Sequence, residues 1–164
     1  MILRSFFYTF VFMTITEYIK NVELVQSKIL DETEKIVMSN EDEITNLNII
    51  KIQEGIGSDN GLLKNKNTLF SGTYSLGTQL LNSSKKAGDL YTFIETGDFV
   101  SNFQVEMSPD LTKINIFSTG TGGGLKKSFF DGYSNLYGLT EEDKDKLNYE
   151  IIYPELMDFI KQYL

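Results

Sequence analysis

Cysteine, histidine and tryptophan are all absent from the chain, and Arg4 is its only arginine. Without cysteine there is no disulfide, no thiol nucleophile and no thiolate metal ligand. Without histidine there is no imidazole acid–base catalyst, and zinc sites built from the usual ligand types are excluded with it. Catalysis would have to rest on carboxylates, lysine, tyrosine or a bound Mg²⁺. The scarcity of arginine matters as much. A protein that grips nucleic acid neutralises phosphates with clustered Lys and Arg, whereas here 15 basic residues face 23 acidic ones for a net charge of −8. Sequence-specific recognition of DNA or RNA is not expected. An acidic surface does suit a passage along which nucleic acid slides without sticking.

What is present is an ordinary globular balance, 41% apolar and 23% charged over 164 residues, enough for one domain with a real core. The expected organisation is therefore a single domain, 1–164. The 12 Phe and 9 Tyr are a heavy aromatic load, and such rings serve both cores and subunit contacts.

Met1 to Ile19 is rich in Phe, but Arg4, Ser5, Tyr8, Thr9, Thr14, Thr16 and Glu17 interrupt it. No clean apolar run of about twenty residues remains, and no small-residue cleavage motif comes after it. A packed helix is expected rather than a membrane span or secretory leader, with Leu3, Phe6, Phe7, Phe10, Met13, Thr14 and Glu17 along one face. An exposed face of that kind would need a partner, which favours oligomerisation.

Two helical segments are expected first, about 3–22 and 22–38, with Ser39 or Asn40 capping the next helix. Asn46 to Glu54 is ambiguous between helix and strand, and Gly55 to Gly61 is a turn signal. An irregular excursion with a short helix near Thr73–Asn82 comes next. After Gly88 apolar residues alternate, predicting strand character from Leu90 to Glu95 and again from Phe99 to Met107. Ser108-Pro109-Asp110 predicts a hairpin into Lys113–Ser118. Thr119 to Gly124 reads as a flexible loop. Thr140-Glu141-Glu142-Asp143 opens the last helical section as a near capping box, and Pro154 starts or kinks the final helix. The fold class is α+β: N-terminal helices, a small antiparallel sheet with a hairpin, and C-terminal helices.

Four stretches invite a chemical reading and each has a plainer one. Gly120 to Ser128 resembles a phosphate loop faintly, but Leu125 stands where glycine must precede the lysine, so a loop is expected. Asp59-Asn60-Gly61 lacks the flanking carboxylates of a calcium loop and reads as a turn. The acidic groups Asp31, Glu32, Glu34 and Glu41, Asp42, Glu43 read as solvated faces. No catalytic residue, metal ligand or cofactor is expected, and the protein is not expected to be an enzyme.

Asp89 to Val105, with its Thr96-Gly97-Asp98-Phe99 step between strand-like runs, resembles a segment of small virion proteins of tailed phages infecting Bacteroidetes, including crAss-like phages. Tyr137 to Lys144, followed by Pro154-Glu155-Leu156, resembles the closing segment of the same proteins. More distantly, the Thr-Gly-x-Phe step followed by a hairpin resembles tail-completion and neck proteins of long-tailed phages, which carry a Thr-Gly-x-Leu step. The similarity covers roughly residues 50–164, and Gly120–Gly124 departs from it.

The resemblance implies a head–tail connector: a neck ring or tail-completion protein in the virion, made in the host cytoplasm, homo-oligomeric below the portal. Its partners would be the portal and other neck or tail proteins, with no membrane involved. The alternative is a soluble non-virion phage protein that binds a host or phage partner. Phe6, Phe10, Phe99 and Phe103 are expected to carry packing or oligomer contacts, and Gly97 a special backbone geometry.

Overall fold

Thr14 sets the first helix boundary. Its backbone is extended (φ −70°, ψ 156°), its hydroxyl accepts from Glu17 N, and the Glu17 carboxylate reaches back to Thr14 N at 2.8 Å. This reciprocal capping box holds the Glu17 carboxyl below the usual carboxylate range, first through the Thr14 backbone N–H and then its hydroxyl. The computed structural model describes residues 14–66, 72–93, 97–121, 130 and 132–164. From this cap α1 runs unbroken over Ile15–Ser39. The sequence expectation is corrected twice: a helix does not pass through position 14, and none breaks at position 22, because no Gly or Pro interrupts Ile15 to Ser39. The rest of the expected first helix lies outside the described residues.

Asn40 separates α1 from α2 (Glu41–Gln53) as expected, but not as a side-chain cap. Its amide donates instead to Ile36 O and to Glu155 Oε1, tying the bend to the C-terminal helix. The ambiguous Asn46–Glu54 stretch is the end of α2 and the residue that caps it. The four-residue spacing of Ile44, Asn48 and Ile52 turns them onto one buried face. Glu41 Oε1 accepts Val105 N at 3.0 Å, which fixes the start of α2 against the sheet.

Among the described residues the sheet is a single antiparallel hairpin, β1 (Phe103–Met107) and β2 (Ile114–Ser118), with Val105 opposite Ile116. Phe103, Val105 and Ile116 point into the core. The Ser108-Pro109-Asp110 turn closes it, with Asp110 accepting from the Ser108 hydroxyl and from Thr112 N. The expected strand around Leu90–Glu95 is not formed at its described residues. Leu90 makes one isolated bridge to Thr73, and Phe93 has φ +52°, a left-handed value that ends any ladder. The alternation there encodes which side chains face inward, since Tyr91 and Phe93 both meet the Tyr133 ring, and not backbone pairing. The strand expected from Phe99 likewise begins only at Phe103, because Asp98–Ser101 forms a helical turn.

A short helix, α3 (Leu76–Leu81), sits in the excursion, capped by Ser75. The helical turn Asp98–Ser101 is α4. The C-terminal section is α5 (Glu141–Lys146), a π-helical segment (Leu147–Ile152) and α6 (Tyr153–Lys161). Thr140 caps α5, but the shorter Asp143 side chain takes the Thr140 hydroxyl at 2.6 Å instead of completing a box to the backbone. Pro154 has no N–H to continue the α register, and the π segment ends two residues before it. Helices flanking a small sheet make the fold α+β. One cluster of buried side chains runs from Val37 to Leu147.

Candidate functional site

Gly97 is the pivot of the Thr-Gly-Asp-Phe step. At φ +79° it precedes α4 in a left-handed conformation, which residues with a Cβ adopt at a cost of roughly 1–2 kcal/mol. A Cβ there would meet nothing within 4 Å, so the requirement is one of backbone and not of space. We expect Gly97→Val to lower stability by about 2 kcal/mol and Gly97→Asn by about half as much, because Asn tolerates this conformation. Chemical denaturation of the two variants checks the order; equal stability of Gly97→Val and the parent would show that the step is not fixed.

The turn that Gly97 opens has two consequences. Phe99 swings into the core, 1% exposed, and stacks on Phe130 at 4.1 Å with an interplanar angle of 5°. Phe103 meets it edge-on at 5.2 Å. Phe99 and Phe103 are thus buried within this subunit, while Phe6 and Phe10 lie outside the described residues. The second consequence concerns Asp98, whose carboxylate accepts from the Thr121 backbone N–H (2.6 Å) and hydroxyl (3.1 Å). Gly120 passes so close to Asp98 that a Cβ would fall on its carbonyl oxygen. The described start of the expected flexible loop, Thr119 to Thr121, is therefore pinned; Gly122–Gly124 lie outside the described residues. Gly120 and Thr121 serve Asp98 here, so the described part of the faint phosphate-loop pattern is a structural clasp.

A second polar cluster has no signature in the sequence. Asn135, buried, donates to Asp59 Oδ1 (2.7 Å) and Leu62 O (3.0 Å) and accepts Lys64 N (3.1 Å). Asn48, also buried, donates to Leu136 O and accepts Gly138 N. Together they latch the 55–64 turn and α2 to the segment before α5. Asp59 belongs to this turn: Asn135 first, then Gly61 N and Lys64, hold its carboxyl below the usual carboxylate range. Its contribution to stability is fully present above the ordinary carboxylate pKa of about 4 and is lost as pH falls through the lowered folded value. Asp59→Asn should accordingly start less stable at neutral pH and lose less on acidification, a small effect at a half-exposed side chain, read from melting temperatures across the acid range.

The acidic groups do not converge. Glu41 binds Val105 N, Glu43 lies 3.9 Å from Lys146, and Glu32 pairs with Lys35 at 2.9 Å. Among the described residues no group of three or more carboxylates could hold a metal ion. No described helix is long and apolar enough to cross a membrane.

What the molecule does display is apolar surface. Ile15 is 81% exposed, with Tyr18 and Ile19 beside it on the first turns of α1. On α3, Leu76, Leu80 and Leu81 are exposed, Leu81 at 92%. Tyr149 and Tyr153 stand out from the C-terminal helix. Sequence reasoning misses the α3 leucines and the two tyrosines because side-chain exposure depends on what packs alongside. The only sequence signal is a leucine-bearing helix bracketed by Gly72 and Gly88 in an otherwise polar stretch. No protein-family model matches the chain, and no match was found among the curated proteins or the solved structures.

Proposed function

We propose that this chain is a structural subunit of the head–tail connector of a tailed phage virion, a neck ring or tail-completion protein that assembles in multiple copies below the portal, and that it is not an enzyme. The observation that carries this reading is the unpartnered apolar surface on α1 and α3. Three exposed leucines on one short helix and an Ile-Tyr-Ile group at a helix start are the kind of apolar surface that a protein–protein contact buries. Neighbouring subunits would cover them. The resemblance of Asp89–Val105, and of Tyr137–Lys144 followed by Pro154-Glu155-Leu156, to small phage virion proteins supplies the setting. The surplus of acidic residues fits it as well, since DNA passing through such a ring must not bind to it.

Cross-linking of intact particles with a lysine-reactive reagent tests the placement. The expected result is cross-links from Lys20 and Lys28 of α1 to portal or tail chains, together with links between copies of this chain. Recovery of the chain only from infected-cell lysate, never from particles, would contradict the reading and make it a soluble non-virion binding protein.

A further inference from the structure

The excursion from Gly72 to Tyr91 is a finger. Its base is zipped by Tyr74 N to Asp89 O, Gly88 N to Tyr74 O and Tyr91 N to Gly72 O, all between 2.8 and 3.0 Å. The base is anchored by Tyr74 and Tyr91, whose rings meet edge-on at 5.1 Å, and Tyr91 in turn meets Tyr133. The finger is thus held rigidly at its root while its helix presents Leu76, Leu80 and Leu81 to solvent. The same finger carries Lys85, which lies over the Tyr74 ring at 5.2 Å, and the exposed Lys86. The finger is thus apolar, and its two lysines outnumber its one carboxylate, Asp89, on a chain whose net charge is −8.

An opposite surface lies on the C-terminal helix. Glu142, Asp145, Tyr149 and Tyr153 succeed one another at spacings of three and four residues, which places them along one helix face. Tyr149 is 72% exposed, and an open groove of about 370 Å³ runs beside it between Glu142, Asp145 and Glu150. Lys146, the basic residue of that groove, lies toward Glu43 at 3.9 Å. The face is therefore aromatic and acidic.

We propose that the leucine finger of one copy docks on the Tyr149–Tyr153 face of the next, an inference that rests on the ring reading above and gives it an interface. Two charge-complementary surfaces on different parts of one chain make a head-to-tail contact, which closes into a ring or extends as a filament. Aromatic side chains are enriched where such contacts are buried. An anionic membrane is the other surface that an apolar, basic finger could enter, but a chain with this net negative charge is repelled from it.

Sedimentation velocity of the full chain tests the contact. Wild type is expected to associate with concentration, whereas Leu80→Asp/Leu81→Asp and, separately, Tyr149→Ala/Tyr153→Ala should remain monomers of 18.7 kDa with unchanged melting. Mixed together, the two variants retain one intact interface between them and should form a 1:1 dimer and nothing larger. Lys86→Glu should weaken association on the order of tenfold, with Asp145→Lys in the same chain restoring it. If the finger variant associates like wild type, the finger is not the interface, although the ring reading stands. A wild-type chain that stays monomeric, or one that floats with phosphatidylserine-containing vesicles as a monomer, overturns the proposal; the ring reading is then decided separately by copy number in particles.

Discussion

Phe99→Ala is expected to cost about 4 kcal/mol, the largest loss of any single change considered for this chain. The side chain is 1% exposed and touches rings on four sides: Phe130 stacked at 4.1 Å, Phe103 edge-on, and Phe93 and Tyr137 tilted at 5.9 and 6.3 Å. Truncation removes its buried apolar area and leaves a ring-sized void. These neighbours come from separate parts of the chain, held in place by Gly97, the hairpin and the segment before α5, so they cannot collapse together cheaply. A domain of this size has roughly 5–15 kcal/mol in total, so the variant should melt about 10 °C lower and approach marginal stability. Phe99→Leu, which refills part of the volume, should recover more than half of the loss. Denaturant titration with both variants checks the order; a Phe99→Ala loss below about 1 kcal/mol would mean that the aromatic cluster is not the core.

The second large effect is expected at Asn135. Replacing it with alanine strips Lys64 N and Leu62 O of their partner and frees the Asp59 carboxylate from its main donor. Both backbone groups are only part-buried, so each lost hydrogen bond costs about 1 kcal/mol, and with the bond to the charged Asp59 the total is about 3 kcal/mol. Asn135→Asp would keep the acceptor for Lys64 N but set a second carboxylate beside Asp59, and should be at least as damaging. Hydrogen exchange gives the local readout. In Asn135→Ala the Lys64 amide should exchange much faster, while the β1–β2 amides keep their protection at equal global stability.

Local rules are the most legible part of the sequence. Thr140 and the Ser108-Pro109-Asp110 turn each carry their instruction within four residues, and the structure obeys both. The Gly55–Gly61 turn and the short helix near Thr73–Asn82 are legible for the same reason. The elements that sequence reasoning misses are those whose form depends on distant neighbours. Leu90 to Phe93 alternates like a strand, yet among the described residues it makes only the isolated Leu90–Thr73 bridge, and its rings turn inward toward Tyr133 instead. Asn135 looks like any loop asparagine; only the return of the 55–64 turn onto it makes it a latch. Gly97 stands out by resemblance, while its left-handed backbone and the collision-free space around it emerge from the structure.

The exposed leucines of α3 carry the functional argument, and they are hidden in the sequence for the same reason: a leucine is taken for core until the fold leaves it outside. Burying them against another subunit is what a connector ring would do with them.

The most direct test of that role is quantitative mass spectrometry of purified phage particles, scaling copies of this chain against copies of the portal protein. The account predicts copies equal to the portal's, or a simple fraction of them, as a symmetric ring requires. Absence from particles, or a trace amount unrelated to the portal's, would contradict it.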